Sequence, residues 1–103
     1  MTITPIACAP WCGTGDGHPN EVFAADQRCY SPWAYVDSSM ADGQVSAHAR
    51  RDPNRAPVVE LHVYGFEPEL DETLHFTAAE ARQLAQHLVT AADLIEGATE
   101  VTR

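Results

Sequence analysis

Four residues near the start of the chain could act together on a metal ion: Cys8, Cys12, His18 and Cys29, which are all three cysteines of the protein and the histidine nearest them. Thiolate and imidazole are the preferred ligands of structural zinc, which takes four in a tetrahedron. Cys8-x3-Cys12 sets two sulfurs on one tight loop, Gly13, Gly15 and Gly17 let the backbone bring His18 round, and Cys29 closes the set from further along. Residues 13–20 have no large apolar side chain, so this segment has nothing of its own to fold around. A structural zinc site supplies about 10 kcal/mol or more in apparent terms. An odd number of cysteines fits a disulfide framework poorly.

Alternatives stay open at this point. The paired Cys-x2-Cys of the strong zinc-finger patterns is missing, and Cys8 and Cys12 could be small buried apolar residues or a disulfide with Cys29 spare. A redox pair lacks its Cys-x-x-Cys spacing, and an iron–sulfur cluster usually takes four thiolates. Should Cys29 not ligate, one coordination position would be free, with Asp16 or Glu21 as the nearest base, as in a zinc hydrolase. Neither the His-x-Glu…Pro-Cys-x-x-Cys deaminase signature nor His-Glu-x-x-His occurs. No catalytic residue is assigned. Trp11, beside Cys12, is expected over the metal loop, with a partner-binding role as the alternative.

A second constellation is spread over the middle of the chain. His48, His62 and His75 share the outward parity of their strands with Glu60 and Arg50. They read as a solvated sheet face, with a second metal site or a small polar pocket as the sharper alternative. No nucleophile elbow and no Gly-rich phosphate loop is present.

The elements that must position these residues can be read from periodicity. Glu21 to Gln27 suits a short helical turn that returns Cys29 towards Cys8 and Cys12. Four strands are expected, at Trp33–Ser38, Val45–Arg50, Val58–Phe66 and Thr73–Phe76, from alternation and β-branched or aromatic content. Asp42-Gly43 is placed as a two-residue hairpin turn, and Gly65 to Glu72 as an acidic turn. Thr77 with Glu80 forms a capping box. Ala81, Leu84, Ala85, Leu88, Ala91, Ala92 and Ile95 make one apolar helical stripe, and Gly97 terminates it. The fold class is therefore α+β: a zinc-held N-terminal loop (residues 1–31), a four-stranded antiparallel meander (32–76) and one C-terminal helix (77–97) packed on one sheet face. Together they form a single domain, 1–103. Leu84, Leu88 and Ile95 are expected to be buried there.

Six Arg against fifteen Asp plus Glu give a net charge of -9, which argues against ordinary nucleic-acid binding. From residue 57 to 102 there are nine acids and one base, Arg82. Such acidity serves solubility or presents a docking face for a basic partner, a nucleic-acid mimic included. No apolar run is long enough to cross a bilayer, and the first residues lack the basic and apolar regions of a secretory signal. The expectation is a cytoplasmic protein without membrane contact.

The opening Cys8-Ala-Pro-Trp-Cys12 with His18, and the closing Leu74-His-Phe-Thr-Ala-Ala-Glu-Ala-Arg-Gln-Leu-Ala, resemble a family of small actinobacterial and actinophage proteins of unknown function. Members begin Cys-Pro-x-Trp-Cys, carry a nearby His and often a second, and end in a Leu-Thr-x-x-Glu-Ala-x-x-Leu-Ala helix. Cys8, Trp11, Cys12, His18, Thr77, Glu80, Ala81, Leu84 and Ala85 match. Pro10 stands one place later than in the family, and Cys29 stands about where the second His would be. The resemblance implies no activity. The residues together point to a small acidic zinc protein acting as a non-catalytic protein-interaction module, with an unidentified protein partner or a second copy of itself. The rivals are a zinc regulator that contacts or mimics nucleic acid, and the open-site hydrolase.

Overall fold

A computed structural model describes residues 2–66 and 69–97. It is an α+β structure: an antiparallel sheet of five strands and one C-terminal helix that packs with it. The strands are β1 (Cys29–Tyr30), β2 (Ala34–Asp37), β3 (Gly43–Arg51), β4 (Val58–Gly65) and β5 (Leu70–Phe76), followed by α1 (Ala78–Glu96). One 3-10 turn, Ala24–Asp26, occupies the segment where a helical turn is expected. The four expected strands are present, and β1 is added to them.

β1 and β2 lie along the same edge of β3 because one edge strand is interrupted. Cys29 and Tyr30 pair with Arg51 and Arg50, whereas Ala34 pairs with Ala47. Ser31, Pro32 and Trp33 thus oppose only His48 and Ala49, a bulge of one residue. Pro32 has no N–H to give the ladder. The Ser31 hydroxyl repairs part of the loss, accepting from the Ala49 N–H at 2.7 Å, while the Ser31 N–H donates to the Ala49 carbonyl at 2.9 Å.

Two expected turns are drawn differently. Asp42-Gly43 is not a two-residue hairpin: β2 ends at Asp37, and Gly43 already belongs to β3. The connection is a loop folded on the Ser38 hydroxyl, which accepts from the Met40 and Ala41 N–H groups. Gly43 is needed for a close approach instead, since a Cβ there would lie 2.3 Å from the Phe66 ring. The acidic turn is also shorter than expected, because β5 starts at Leu70.

Register sorts the sheet into two faces. Val36, Val45, Val63 and Glu72 are cross-strand neighbours, as are Ala34, Ala47, Leu61 and Leu74, then Ala49, Val59 and Phe76. This face is apolar but for Glu72, yet none of its residues is fully buried. The opposite face carries Tyr35, Ser46, His48, Arg50, Glu60, His62 and His75, and three of them are buried: Ser46, His48 and Glu60. Polar residues are more enclosed than apolar ones.

The helix explains the inversion. Thr77 and Glu80 form the expected capping box, and Gly97 ends α1 in the left-handed region at φ 77. The helix touches β4 and β5, and Ala81 and Leu84, near its start, are half-buried. Beyond them the stripe stands in the open, with Leu88 63 % and Ile95 87 % exposed. The expected burial of Leu88 and Ile95 within the chain is therefore not found. A nine-residue strand spans about 30 Å and nineteen helical residues about 28 Å. The molecule measures 63 × 31 × 18 Å, as it must when the helix runs on past the sheet.

The cap offers a direct check on the helix. Thr77→Ala removes the hydroxyl that holds the Glu80 N–H and should cost about 1 kcal/mol. Denaturation followed by far-ultraviolet circular dichroism should show that loss, and Thr77→Ser should recover most of it.

Candidate metal centre

Cys8 and Cys12 sit on a loop closed by the Cys12 N–H donating to the Ala9 carbonyl at 3.0 Å. The next segment doubles back beside the lead-in residues. Ile3 N–H donates to the Pro19 carbonyl at 2.8 Å and Ile6 N–H to the Gly17 carbonyl at 2.9 Å. That return passes through Gly17 at φ 81 and His18 at φ 53. At Gly17 a Cβ would meet Pro5 at 2.7 Å and the Ile6 carbonyl oxygen at 2.9 Å, so only glycine fits. His18 is held at a positive φ, which few non-glycine residues adopt. Cys29 arrives on β1 and is completely buried.

These pieces bring one atom each from Cys8, Cys12, His18 and Cys29 to within 4.8 Å of one another. The His18 Nε2 lies 3.3 Å from the Cys12 Sγ and 3.8 Å from the Cys29 Sγ. Ligands at 2.0–2.3 Å from a tetrahedral zinc must stand about 3.5–3.8 Å apart, so the spacing suits one ion at the centre. All three cysteines are free thiols, and no disulfide links Cys8 to Cys12. Cys29 belongs to the cluster, which completes a four-donor set.

The surroundings prepare these atoms unequally. Burial works against ionising Cys12, but donors from the Gly15 backbone and from the hydroxyl and backbone of Thr14 outweigh it, drawing that thiol down to about 5. At Cys8 burial dominates and the neighbouring Cys12 and Cys29 sulfurs add to it, pushing the thiol up to about 11 although the Gly17 N–H donates to its sulfur. One thiolate is thus favoured by its donors and a second is disfavoured chiefly by burial. A divalent cation among the three sulfurs would offset both effects by favouring thiolates.

Supporting contacts give the cluster its frame. Asp16 accepts the His18 N–H at 2.9 Å and lies 3.7 Å from the ring Nδ1, leaving Nε2 turned towards the sulfurs. That commits the carboxylate suggested as a base to a positioning bond. Glu21, the other suggested base, is half-buried, as is Trp11.

Two residues were not foreseen in the sequence. Gln27 is buried, and its side-chain amide donates to the carbonyls of Thr4 and His18 at 2.8 and 2.9 Å, clasping the lead-in to the ligand loop. Arg51 donates to the Ala7 carbonyl and stands 3.7 Å from the Cys29 sulfur, a positive charge beside the thiols. A lone Gln in a turn carries no sequence signal. Arg51 could have been noticed only with Cys29 assigned to the strand that pairs with it.

The second constellation divides. Glu60 gathers three partners: Arg50 Nη1 at 2.6 Å and His75 Nε2 at 2.9 Å on one oxygen, and His48 Nε2 at 2.8 Å from the other. The His48 contact is electrostatic, its angle falling off the hydrogen-bond line. Trp33, re-aimed by the bulge, stacks on the His48 ring at 4.2 Å. Burial lowers the His48 pKa against the pull of Glu60. His62 is not in this group and pairs with Asp71 at 2.6 Å. The expectation of a solvated face is corrected for His48 and Glu60, which are both buried, His48 under Trp33 and Glu60 among its three partners. Beside them, Arg50, Asp52, Arg55, Ala56, Val58 and His75 line an open depression of about 620 Å³.

Compared with protein-family models, with curated proteins and with solved structures, the chain matches none. Among the described residues, no helix is long and apolar enough to cross a membrane.

Two measurements follow from this geometry. Gly17→Ala, which forces a Cβ into Pro5 and Ile6, should lower metal affinity at least tenfold in a competition titration with a chromophoric chelator. Burial raises the Glu60 pKa, but His75 and Arg50 outweigh it and hold the carboxyl below its ordinary value, and Arg50 likewise holds Asp52 down. A depressed carboxylate contributes stability present above its unfolded pKa and lost as pH falls through the folded one. Denaturation midpoints should therefore fall below about pH 4 to 5, and Glu60→Gln should flatten that part of the profile.

Proposed function

We propose that the protein is a small acidic zinc-binding module that works by binding another protein rather than by catalysis. The observation that carries this reading is the closed donor set: three sulfurs and one imidazole, drawn from four separate positions of the chain, within 4.8 Å of one another. Zinc fits the set because soft thiolates and imidazole select it, and because hard cations such as calcium and magnesium take oxygen ligands. Cys8, Cys12, His18 and Cys29 would hold it, leaving no position for a water to be activated. The ion's work is then structural, joining residues 2–20, which have little core, to Cys29 at the edge of the sheet.

With four protein ligands the open-site hydrolase loses its premise, and Asp16 is already engaged by the His18 backbone. A net charge of -9 opposes a nucleic-acid contact. A protein partner suits the broad uncovered apolar surfaces of the sheet and helix. Membership of the small actinobacterial and actinophage proteins belongs to the same proposal and rests on the Cys8, Trp11, Cys12 and His18 pattern.

Cobalt replacement tests the reading. Purified protein should bind one ion per chain, and the cobalt form should show thiolate charge-transfer and tetrahedral ligand-field bands that do not change on adding azide or cyanide. A spectrum altered by those ligands would reveal an open position and return the hydrolase reading. Cys12→Ala should lose the ion and melt the N-terminal segment before the sheet, followed by hydrogen exchange.

A further inference from the structure

Four of the six arginines, Arg28, Arg50, Arg51 and Arg55, meet at one end of the sheet. Arg50 and Arg51 close β3, Arg55 stands in the loop to β4, and Arg28 precedes β1, 3.6 Å from Asp52. The acids paired with them are Asp26, Asp52 and Glu60. This end therefore has a surplus of positive charge on a chain of net charge -9.

The depression of about 620 Å³ opens here, within the size range of small-ligand pockets. The donors on its wall are only partly used. Arg50 gives Nε and Nη2 to Asp52 and Nη1 to Glu60, which engages three of its five N–H groups. His75 meets Glu60 through Nε2, which leaves Nδ1. Arg55 is exposed, and among the described residues its guanidinium makes no hydrogen bond or ion pair. Its charge acts on Asp52 only from a distance.

We propose that this depression binds a carboxylate carried on a small apolar group, the carboxylate between Arg50 and Arg55 and the apolar part against Ala56 and Val58. The site shares no residue with the four clustered ligands and goes beyond the metal reading. A guanidinium fork matches the two oxygens of a carboxylate. Arg50 already holds Asp52 in that way, at 2.8 and 3.1 Å. Asp52 and Glu60 offset much of the local positive charge, so a ligand with one negative charge fits. A phosphate dianion would bring a second charge towards the same two carboxylates. The apolar wall is continuous with the cation, because Val58 is the cross-strand partner of Arg50. A free carboxylic acid and the C-terminal residue of a polypeptide both carry this chemistry.

Nuclear magnetic resonance of the isotopically labelled, zinc-loaded full chain tests the site, with N-acetyl-leucine, N-acetyl-leucinamide, hexanoate and inorganic phosphate as probes. N-acetyl-leucine should bind in the millimolar range, as expected of about a dozen non-hydrogen atoms, and should move the Arg55 and His75 side-chain signals. The amide, which lacks the charge, should bind at least tenfold more weakly. Arg55→Ala should weaken N-acetyl-leucine at least tenfold without changing the melting temperature, and Arg55→Lys should restore part of the loss. Arg82→Ala, on α1, should bind as the natural chain does. Hexanoate binding as tightly as N-acetyl-leucine would support a free acid, and a tenfold preference for N-acetyl-leucine would support a polypeptide terminus. Equal binding of the amide, full binding by Arg55→Ala, or tighter binding of phosphate would each overturn the proposal. So would the absence of any shift at about 20 mM N-acetyl-leucine.

Discussion

Three thiols and an imidazole confined within 4.8 Å are the constraint on which the N-terminal third depends. The sulfurs are unequally prepared: burial above all pushes the Cys8 thiol up, with the neighbouring sulfurs adding to it, while donors from Gly15 and Thr14 draw Cys12 down. The backbone also stores strain to bring them together: His18 adopts a positive φ, and Gly17 passes where no side chain fits. Gln27 and Arg51 hold the arrangement from outside, one by amide bonds to the surrounding carbonyls and one by its charge. Such an assembly makes physical sense around a cation, which supplies attraction where the segment has no apolar burial to offer.

The sheet reverses the ordinary relation between polarity and burial. On the polar face His48 is covered by the Trp33 indole beside the bulge, while Arg50, His75 and His48 surround the Glu60 carboxylate. A buried charge with several partners tolerates removal from water; one without them does not. The apolar face has no comparable cover. Its register is nonetheless tightly specified, since a slip of one residue would exchange Val45, Leu61 and Leu74 for Ser46, His62 and Thr73.

Much of this was legible in the sequence. Alternation located β3 and β4 to within a residue or two, and the Thr77–Glu80 box and Gly97 set the helix limits, because each of these signals is local. The four clustered residues Cys8, Cys12, His18 and Cys29 were legible as a set from residue type alone. What escaped depended on tertiary context. β1 is two residues long and carries no pattern of its own; it exists because Arg50 and Arg51 on β3 give it a ladder. Asp42-Gly43 looked like a hairpin turn, but its glycine answers to Phe66 across the sheet. The polar cluster looked solvated, since nothing in the alternation of β3 reveals that Pro32 breaks the neighbouring strand and redirects Trp33. The apolar stripe was read as buried on the sheet along its length, but only its start is half-buried while Leu88 and Ile95 are exposed, because periodicity marks a face and not what it packs on.

A metal ion would hold the N-terminal segment within one molecule, provided the ion is supplied, and its reach would extend beyond that segment. β3 carries Arg51, which pairs with Cys29 of β1, and also Val45 and Ala47 of the apolar face. Fixing Cys29 would order β1, and through the bulge the line of β2, which extends the apolar face by Ala34 and Val36. The four clustered side chains and the sheet are therefore joined through a single strand edge, so an ion held at Cys29 would steady one border of the sheet as well as its own loop.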